Sequence, residues 1–362
     1  MKRVGILTFH CAHNYGAVLQ CYALQKFLES SGCEVEIIDH KIPSLLDVYK
    51  PICWRFIYRK NPIKLLKNVF HAIRYYLVNR ARYNSFNKFI NQYLNCQPVE
   101  TIHTNPYDVI IVGSDQVWNP QLTNGYDPFY WGSFGRPKGT KLISYAASMY
   151  DIWSEDQDER VCELLQNFDA ISVREEKVQK KIMQMIPGRE IRKVVDPIFL
   201  LSDEQWTNVA SIPSEKKAYL LLFQVERVKK SEEIAKRIAT DLNLSIIYLS
   251  AKADRINTPS VVASSPADFV GLFKHASFVV CTSFHGTAFS LLLHKQFVSV
   301  KTNTPKDARV EGLLDSVGLS KRFISDYEDY NKREKVLFDD SSIFKLAIFS
   351  KKYLSDNIYG NY

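Results

Sequence analysis

One stretch constrains the chain more than any other: Ala276 to Val300, ASFVVCTSFHGTAFSLLLHKQFVSV. Phe278 to Cys281 is a short apolar, β-branched run of the kind buried on both faces of a parallel sheet. Gly286 to Leu293 reads as an apolar helix ending in His294 and Lys295, and Phe297 to Val300 as the next strand. Between strand and helix lie Thr282, Ser283, Phe284, His285 and Gly286. They supply two hydroxyls able to cap free N–H groups, an imidazole, and a glycine that lets a ligand approach the backbone. A helix N-terminus at the carboxyl end of a strand is an anion site by construction. A lone His in such a place is ordinarily a satisfied capping residue; the adjoining hydroxyls and glycine tip this loop toward a ligand site.

The same grammar opens the chain. Val4 to Phe9 reads as a strand, His10 to Tyr15 as a loop, and Gly16, Ala17, Leu19, Tyr22, Ala23, Leu24 and Phe27 as a helix stopped at Gly32; Val35 to Asp39 is the second strand. Strand, helix and strand in this order begin a parallel sheet, with Asn14 as N-cap at the mouth of its first crossover. Tyr107 to Val112 is a further strand ending in Gly113, Ser114, Asp115 and Gln116, where Asp115 reads equally as a cap or a general base. Lys141 to Ala146 and Asp169 to Val173 follow. The second of these leads to Arg174, whose neighbours Glu175 and Glu176 point to an ion pair. Val194 to Leu201, with Asp196 and Pro197, reads as the crossover into a second half. That half comprises Tyr219 to Gln224, a charged helix over Glu232 to Leu242, Ser245 to Ser250, a helix at Pro266, and the opening stretch. Lys301, Lys306 and Arg309 then precede a helix through Leu313, Leu314 and Val317.

The run SFHGTAFSLLLHKQFVSV, taken with ILTFHCAHNYGAVLQCYALQ near the start and VGSDQVWNP at 112 to 120, resembles the polysaccharide pyruvyl transferase family in order and spacing. SYAAS at 144 to 148, VREE at 173 to 176, VVDPIFLL at 194 to 201 and ARVEGLLDSVGL at 308 to 319 extend the likeness over most of the chain. The resemblance implies an α/β fold of two Rossmann-like halves with parallel sheets, similar to that of GT-B glycosyltransferases. On that scheme residues 1–205 form the acceptor side with a basic helical insertion at 48–99. Residues 206–330 form the donor side, and 331–362 a helical extension. It also implies transfer of pyruvate from phosphoenolpyruvate to a sugar as a ketal. Such chemistry needs cations for a carboxylate and a phosphate, an acid to protonate the methylene carbon, and a base for the sugar hydroxyl. The resemblance assigns His285 as that acid or as a phosphate ligand, Asp115 as the base, and Arg174 as a guanidinium fork on the donor. Ser283, Gly286, Thr287, Lys301, Lys306 and Arg309 join the donor side; His10, His13, Asn14, Tyr15, Gly16, Ser114 and Gln116 join the acceptor side. Many members carry Arg two residues before the His where this chain has Ser283, and Lys301, Lys306 and Arg309 are the cations that could replace it. The competing readings are a nucleotide-sugar-dependent glycosyltransferase and an inactive anion-binding member of a glycan assembly complex.

A length of 362 residues suits two domains. Seven cysteines without a C-x-x-C pair argue against a disulfide framework or zinc site and for a reducing cytoplasm. No metal and no cofactor beyond the co-substrate phosphoenolpyruvate is called for. No run reaches the roughly 18 apolar residues of a spanning helix. The net charge of +8 is concentrated: Val48 to Val99 contains no Asp or Glu but holds Lys50, Arg55, Arg59, Lys60, Lys64, Lys67, Arg74, Arg80, Arg82 and Lys88, interleaved with aromatics. Such a segment reads either as a solvated helical pair or as a surface for anionic lipid at the inner face of the cell membrane. A polyprenyl-diphosphate-linked sugar acceptor would give the enzyme a reason to be there. No nucleic-acid-binding signature accompanies the charge.

Overall fold

The computed structural model describes residues 1–52, 62–149, 153–215, 217–250, 264–331, 334–336, 338 and 340–360. The first half runs β1 (Lys2–Leu7), α1 (Tyr15–Ser30), β2 (Cys33–Ile38), α2 (Pro62–Tyr93), β3 (Cys96–Gln97), β4 (Val109–Val112), β5 (Lys141–Ser144), β6 (Ile171–Val173), α3 (Glu176–Met185) and β7 (Ile191–Lys193). Its sheet has the order β3-β2-β1-β4-β5, every pairing parallel. The β6-β7 pair continues it through bridges from Ile143 to Ala170 and from Ala147 to Val173. β4 is VIIV with all four residues buried, because helices cover both faces of a parallel sheet and leave no polar side for alternation.

The second half runs β8 (Tyr219–Gln224), α4 (Lys229–Leu242), β9 (Ser245–Ser250), α5 (Pro266–His275), β10 (Phe278–Cys281), α6 (Phe284–Leu292), β11 (Phe297–Val300), α7 (Asp307–Ser316) and β12 (Phe323–Ile324). Its order, β12-β11-β10-β8-β9, is again wholly parallel. The two Rossmann-like halves expected from the sequence are therefore present. One apolar core spans both: Trp206 donates its indole N–H to the Ile198 carbonyl and meets Tyr22 of α1 and Phe289 of α6. Tyr15 stacks on Phe269 of α5 and donates its hydroxyl to the Ser264 carbonyl at 3.1 Å. A last helix, α8 (Asp340–Tyr359), returns to the first half. There the Tyr353 hydroxyl donates to the Ser144 carbonyl, Tyr359 to that of Ser31, and Lys141 to Asn357.

The basic segment falls only partly within the described residues. Its described part is dominated by one helix, α2, of 32 residues; Arg55, Arg59 and Lys60 lie outside the described residues. The carboxyl-terminal third of α2 docks on the first half, with Arg82, Phe86, Phe89 and Ile90 buried. Arg82 lies 4.3 Å over the Phe86 ring and donates to the His13 carbonyl, so this cation faces inward. None of the described helices is long and apolar enough to cross a membrane.

Candidate functional site

The site is built where the carboxyl ends of both sheets meet, each presenting a helix N-terminus. In the second half α6 starts at Phe284, two residues before the expected Gly286, because Ser283 is the N-cap and its hydroxyl accepts from the Gly286 N–H at 3.2 Å. In the first half Asn14 caps α1 by accepting from the Gly16 N–H at 3.0 Å. The two ends touch: a β-carbon added to Gly16 would lie 2.1 Å from His285 Nδ1. Gly16 is glycine because the imidazole packs on its backbone.

Behind His285 lies a buried charge relay. Its Nε2 sits 3.4 Å from Asp196 Oδ2, within ion-pair range but not aligned for a hydrogen bond. Asp196 is fully buried, caps the turn Pro197–Leu200 through the Ile198 N–H, and accepts from Arg174 Nη1 at 2.5 Å. Burial pushes the Asp196 carboxyl up. The charges of His285 and Arg174 and the Ile198 N–H outweigh it and hold the pKa down at about 2. Arg174 donates Nε to Glu175 at 3.0 Å and Nη2 to the Ser148 hydroxyl at 2.6 Å, and its guanidinium lies 4.4 Å over the Phe284 ring. Burial would lower the pKa of Arg174, but the Glu175 and Asp196 carboxylates raise it. The ion pair read from Glu175 is present, and most of the fork is engaged inside the protein.

Arg174, Asp196 and Phe284 also line a cavity of about 590 Å³ between the halves. Arg309 of α7 and Lys177, Lys180 and Lys193 face it from either side. Lys180 and Lys193 pair with Glu176. Arg309 is different: it is partly buried, its Nε is shut off from solvent, and no hydrogen bond reaches that nitrogen. Burial, then the positive charge of Arg174, pushes its pKa down, while Glu175, Asp115 and Asp196 act in the opposite sense. Two guanidiniums beside one cavity, one lacking a hydrogen bond to its Nε, favour an anion there.

The structure distributes the remaining candidates unevenly. Asp115 stands at the end of β4 near the same arginines with φ of 72°, and its Oδ1 accepts from the Gln116 N–H, so it is a local cap inside the charge cluster. Gln116 accepts from Asn119. Ser114 is buried and donates to the Ala146 carbonyl, and Thr287 is buried against Ser299. Gly286 serves packing, since a β-carbon there would meet Cys281 and Phe223 within 3 Å. Lys301 lies over Phe323 and Lys306 pairs with Glu226, both outside the cavity lining. His10 is buried and bonded to Asp39 at 2.8 Å, a contact that holds the Asp39 carboxyl down at about 2. His13 is buried under α2, stacked on Phe86, with Nε2 on Asn87. Tyr15 joins the two halves rather than facing the cleft. Sequence reasoning missed Asp196, Ser148 and the three lysines. The signal for Asp196 was a single carboxylate inside the apolar run VVDPIFLL, which cannot remain there without cationic partners. Among the described residues no group of three or more His, Cys, Asp and Glu could hold a metal ion.

A family model described as polysaccharide pyruvyl transferase matches residues 14–304. No curated protein matches the sequence. Solved structures similar to the chain include S. aureus MnaA in co-structure with UDP, at 12% identity, 99% of this chain, 96% of that one and a TM-score of 0.49. The spinosyn rhamnosyltransferase SpnG with thymidine diphosphate is similar at 12% identity, 99% and 96% coverage and a TM-score of 0.43. The E. coli heptosyltransferase WaaC with ADP is similar at 12% identity, 98% and 99% coverage and a TM-score of 0.38.

Proposed function

Because the chain belongs to the polysaccharide pyruvyl transferase family, we propose that it moves a pyruvyl group from phosphoenolpyruvate to a sugar of a surface-polysaccharide precursor, closing a ketal on two hydroxyls. The observation that carries this reading is the relay of His285, Asp196 and Arg174 set at the N-terminus of α6 beside a cavity whose Arg309 Nε lacks a hydrogen bond. The donor's phosphate and carboxylate are taken by the α6 N-terminus and Arg309. His285, with the Asp196 carboxylate 3.4 Å from its Nε2, is the acid that delivers a proton to the methylene carbon, and C2 becomes electrophilic. A first sugar hydroxyl adds to C2 and gives its proton to Asp115. Phosphate then leaves, a second hydroxyl adds, and its proton leaves with the phosphate. Asp115 then releases its proton to solvent and His285 regains one, so the net change is one proton placed on carbon and one on phosphate, balanced by the two hydroxyl protons lost. The acceptor is a polyprenyl-diphosphate-linked sugar met at the inner membrane face.

The test is incubation of the full chain with phosphoenolpyruvate and a panel of lipid-linked and aryl glycosides, read by product mass and phosphate release, beside thermal shifts with phosphoenolpyruvate and UDP-sugars. Stabilisation by phosphoenolpyruvate and a glycoside gaining the mass of a pyruvate ketal is expected. Stabilisation by UDP-sugars alone would move the function to glycosyl transfer, and donor binding without any product would make the chain an anion-binding scaffold. Arg309→Ala is expected to raise the donor KM roughly tenfold to a hundredfold, the loss of about 1.5–3 kcal/mol for a charged hydrogen bond; an unchanged KM removes Arg309 from the donor site.

A further inference from the structure

Along the amino-terminal part of α2, four large apolar side chains stand in solvent: Leu66 is 73% exposed, Phe70 68%, Ile73 69% and Leu77 74%. Their spacing of four, three and four residues puts them on one face of the helix, a stripe about 16 Å long. The chain's own core does not need this face, because the docking of α2 is done further along by Phe86, Phe89 and Ile90. A contiguous apolar stripe left in water marks a contact surface.

Charge decides what covers it. Val48 to Val99 carries ten Lys and Arg and no acid, leaving 37 basic residues against 39 acidic ones in the rest of the chain. The whole positive excess therefore resides in the segment that bears the stripe. Arg80, exposed, follows the stripe directly and lies 5.9 Å from the Tyr76 ring. A second copy of the chain seated on the stripe would bring two acid-free segments together, whereas an anionic surface supplies the missing counter-charge. An apolar face beside Lys and Arg is the pattern of a helix that lies in the headgroup boundary, and α2 is too polar to cross it.

We infer that the amino-terminal part of α2 is a membrane-docking element whose stripe Leu66, Phe70, Ile73 and Leu77 enters the headgroup region of an anionic bilayer. This deepens the proposed lipid-linked acceptor, and the test does not depend on pyruvyl transfer. Full-length protein is sedimented with phosphatidylcholine vesicles and with phosphatidylcholine–phosphatidylglycerol vesicles over a range of salt. Binding is expected to the anionic vesicles, weakening as the Debye length falls below about 10 Å. Phe70→Ser with Leu77→Ser is expected to lower the partition coefficient at least tenfold at constant salt, with Tm and turnover of a water-soluble aryl glycoside unchanged. Arg80→Glu is expected to lower it severalfold and to flatten the salt dependence. Absence of binding to anionic vesicles at low salt overturns the inference, as does a double variant that partitions like the wild type. A vesicle-free dimer that the double variant converts to monomer assigns the stripe to a second copy instead. Vesicle binding by a wild-type chain that transfers no pyruvyl group to any glycoside would count against the pyruvyl transfer reading alone.

Discussion

Two loops of this protein look alike in sequence and face each other across the cleft. His13, Asn14 and Gly16 precede α1; Ser283, His285 and Gly286 straddle the start of α6. Each places a histidine and a glycine beside an N-cap whose side-chain oxygen accepts the glycine N–H. Their histidines have opposite fates. His13 is closed over by Tyr83 and Phe86 of α2, and burial, then the charge of Arg82, pushes its pKa down to about 4. His285 rests on the backbone of Gly16 with an ionised carboxylate behind it. The glycines are reversed as well: Gly16 makes room for a side chain of the other half, Gly286 for its own core. A local motif offers a histidine at a helix start; what packs on that histidine decides whether it can carry a proton to a ligand.

The largest effect should separate the histidines. His285→Ala is expected to lower transfer by about a thousandfold, within the range for general acid catalysis, with Tm little changed. His13→Ala should keep kcat within a few fold while costing about 1–3 kcal/mol in denaturant unfolding, since it opens a cavity among aromatics. Equal kcat losses in the two variants would break the comparison.

The glycines give the next effect. Gly16→Ala forces the imidazole off its seat and is expected to cost about a hundredfold in kcat with stability nearly intact. Gly286→Ala overpacks Cys281 and Phe223 and should show as about 1–3 kcal/mol of lost stability. If Gly16→Ala instead lowers only stability, the contact with His285 is packing and nothing more.

The smallest effect is in pH. His13 is neutral when folded, with its pKa depressed to about 4 from an ordinary value of 6.5, whereas the unfolded chain takes up a proton near the ordinary value. Its contribution is therefore complete above about pH 6.5 and is lost as pH falls toward 4, by up to about 3 kcal/mol. Asp196, whose carboxyl is depressed from 3.8 to about 2, loses its contribution only below that window. Urea unfolding at pH 7 and pH 5 should show about 2 kcal/mol of loss that His13→Phe removes; an identical slope in the variant would place the titration elsewhere.

Much of the frame was legible without coordinates. β8 and β9 fall on the expected residues, β10 and β11 likewise, and Asn14 and Ser283 act as caps. Burial on both faces writes strands as continuous apolar runs, and a cap needs only a short polar side chain at one position. These are properties of neighbours in the chain. The placement of the site residues was a different matter. Ser114 just past β4 and Thr287 in the first turn of α6 have the right chemistry, yet their side chains turn inward to Ala146 and Ser299. Leu66, Phe70, Ile73 and Leu77 have helical spacing, but spacing does not say whether a face meets core or water, and only the structure showed these four in water.

What the sequence by itself determined is the parallel α/β frame, the helix starts that point at the cleft, and the concentration of positive charge in one segment. All of these follow from short-range periodicity, capping and composition. Only the tertiary structure decided that Asp196 would stand between Arg174 and His285, 22 residues from one and 89 from the other, and that Gly16 would meet His285. It also left the Arg309 Nε without a hydrogen bond beside the cavity. The physical reason is that a buried charge is set by whatever other elements bring within a few ångströms of it, and no local rule of chain geometry carries that information.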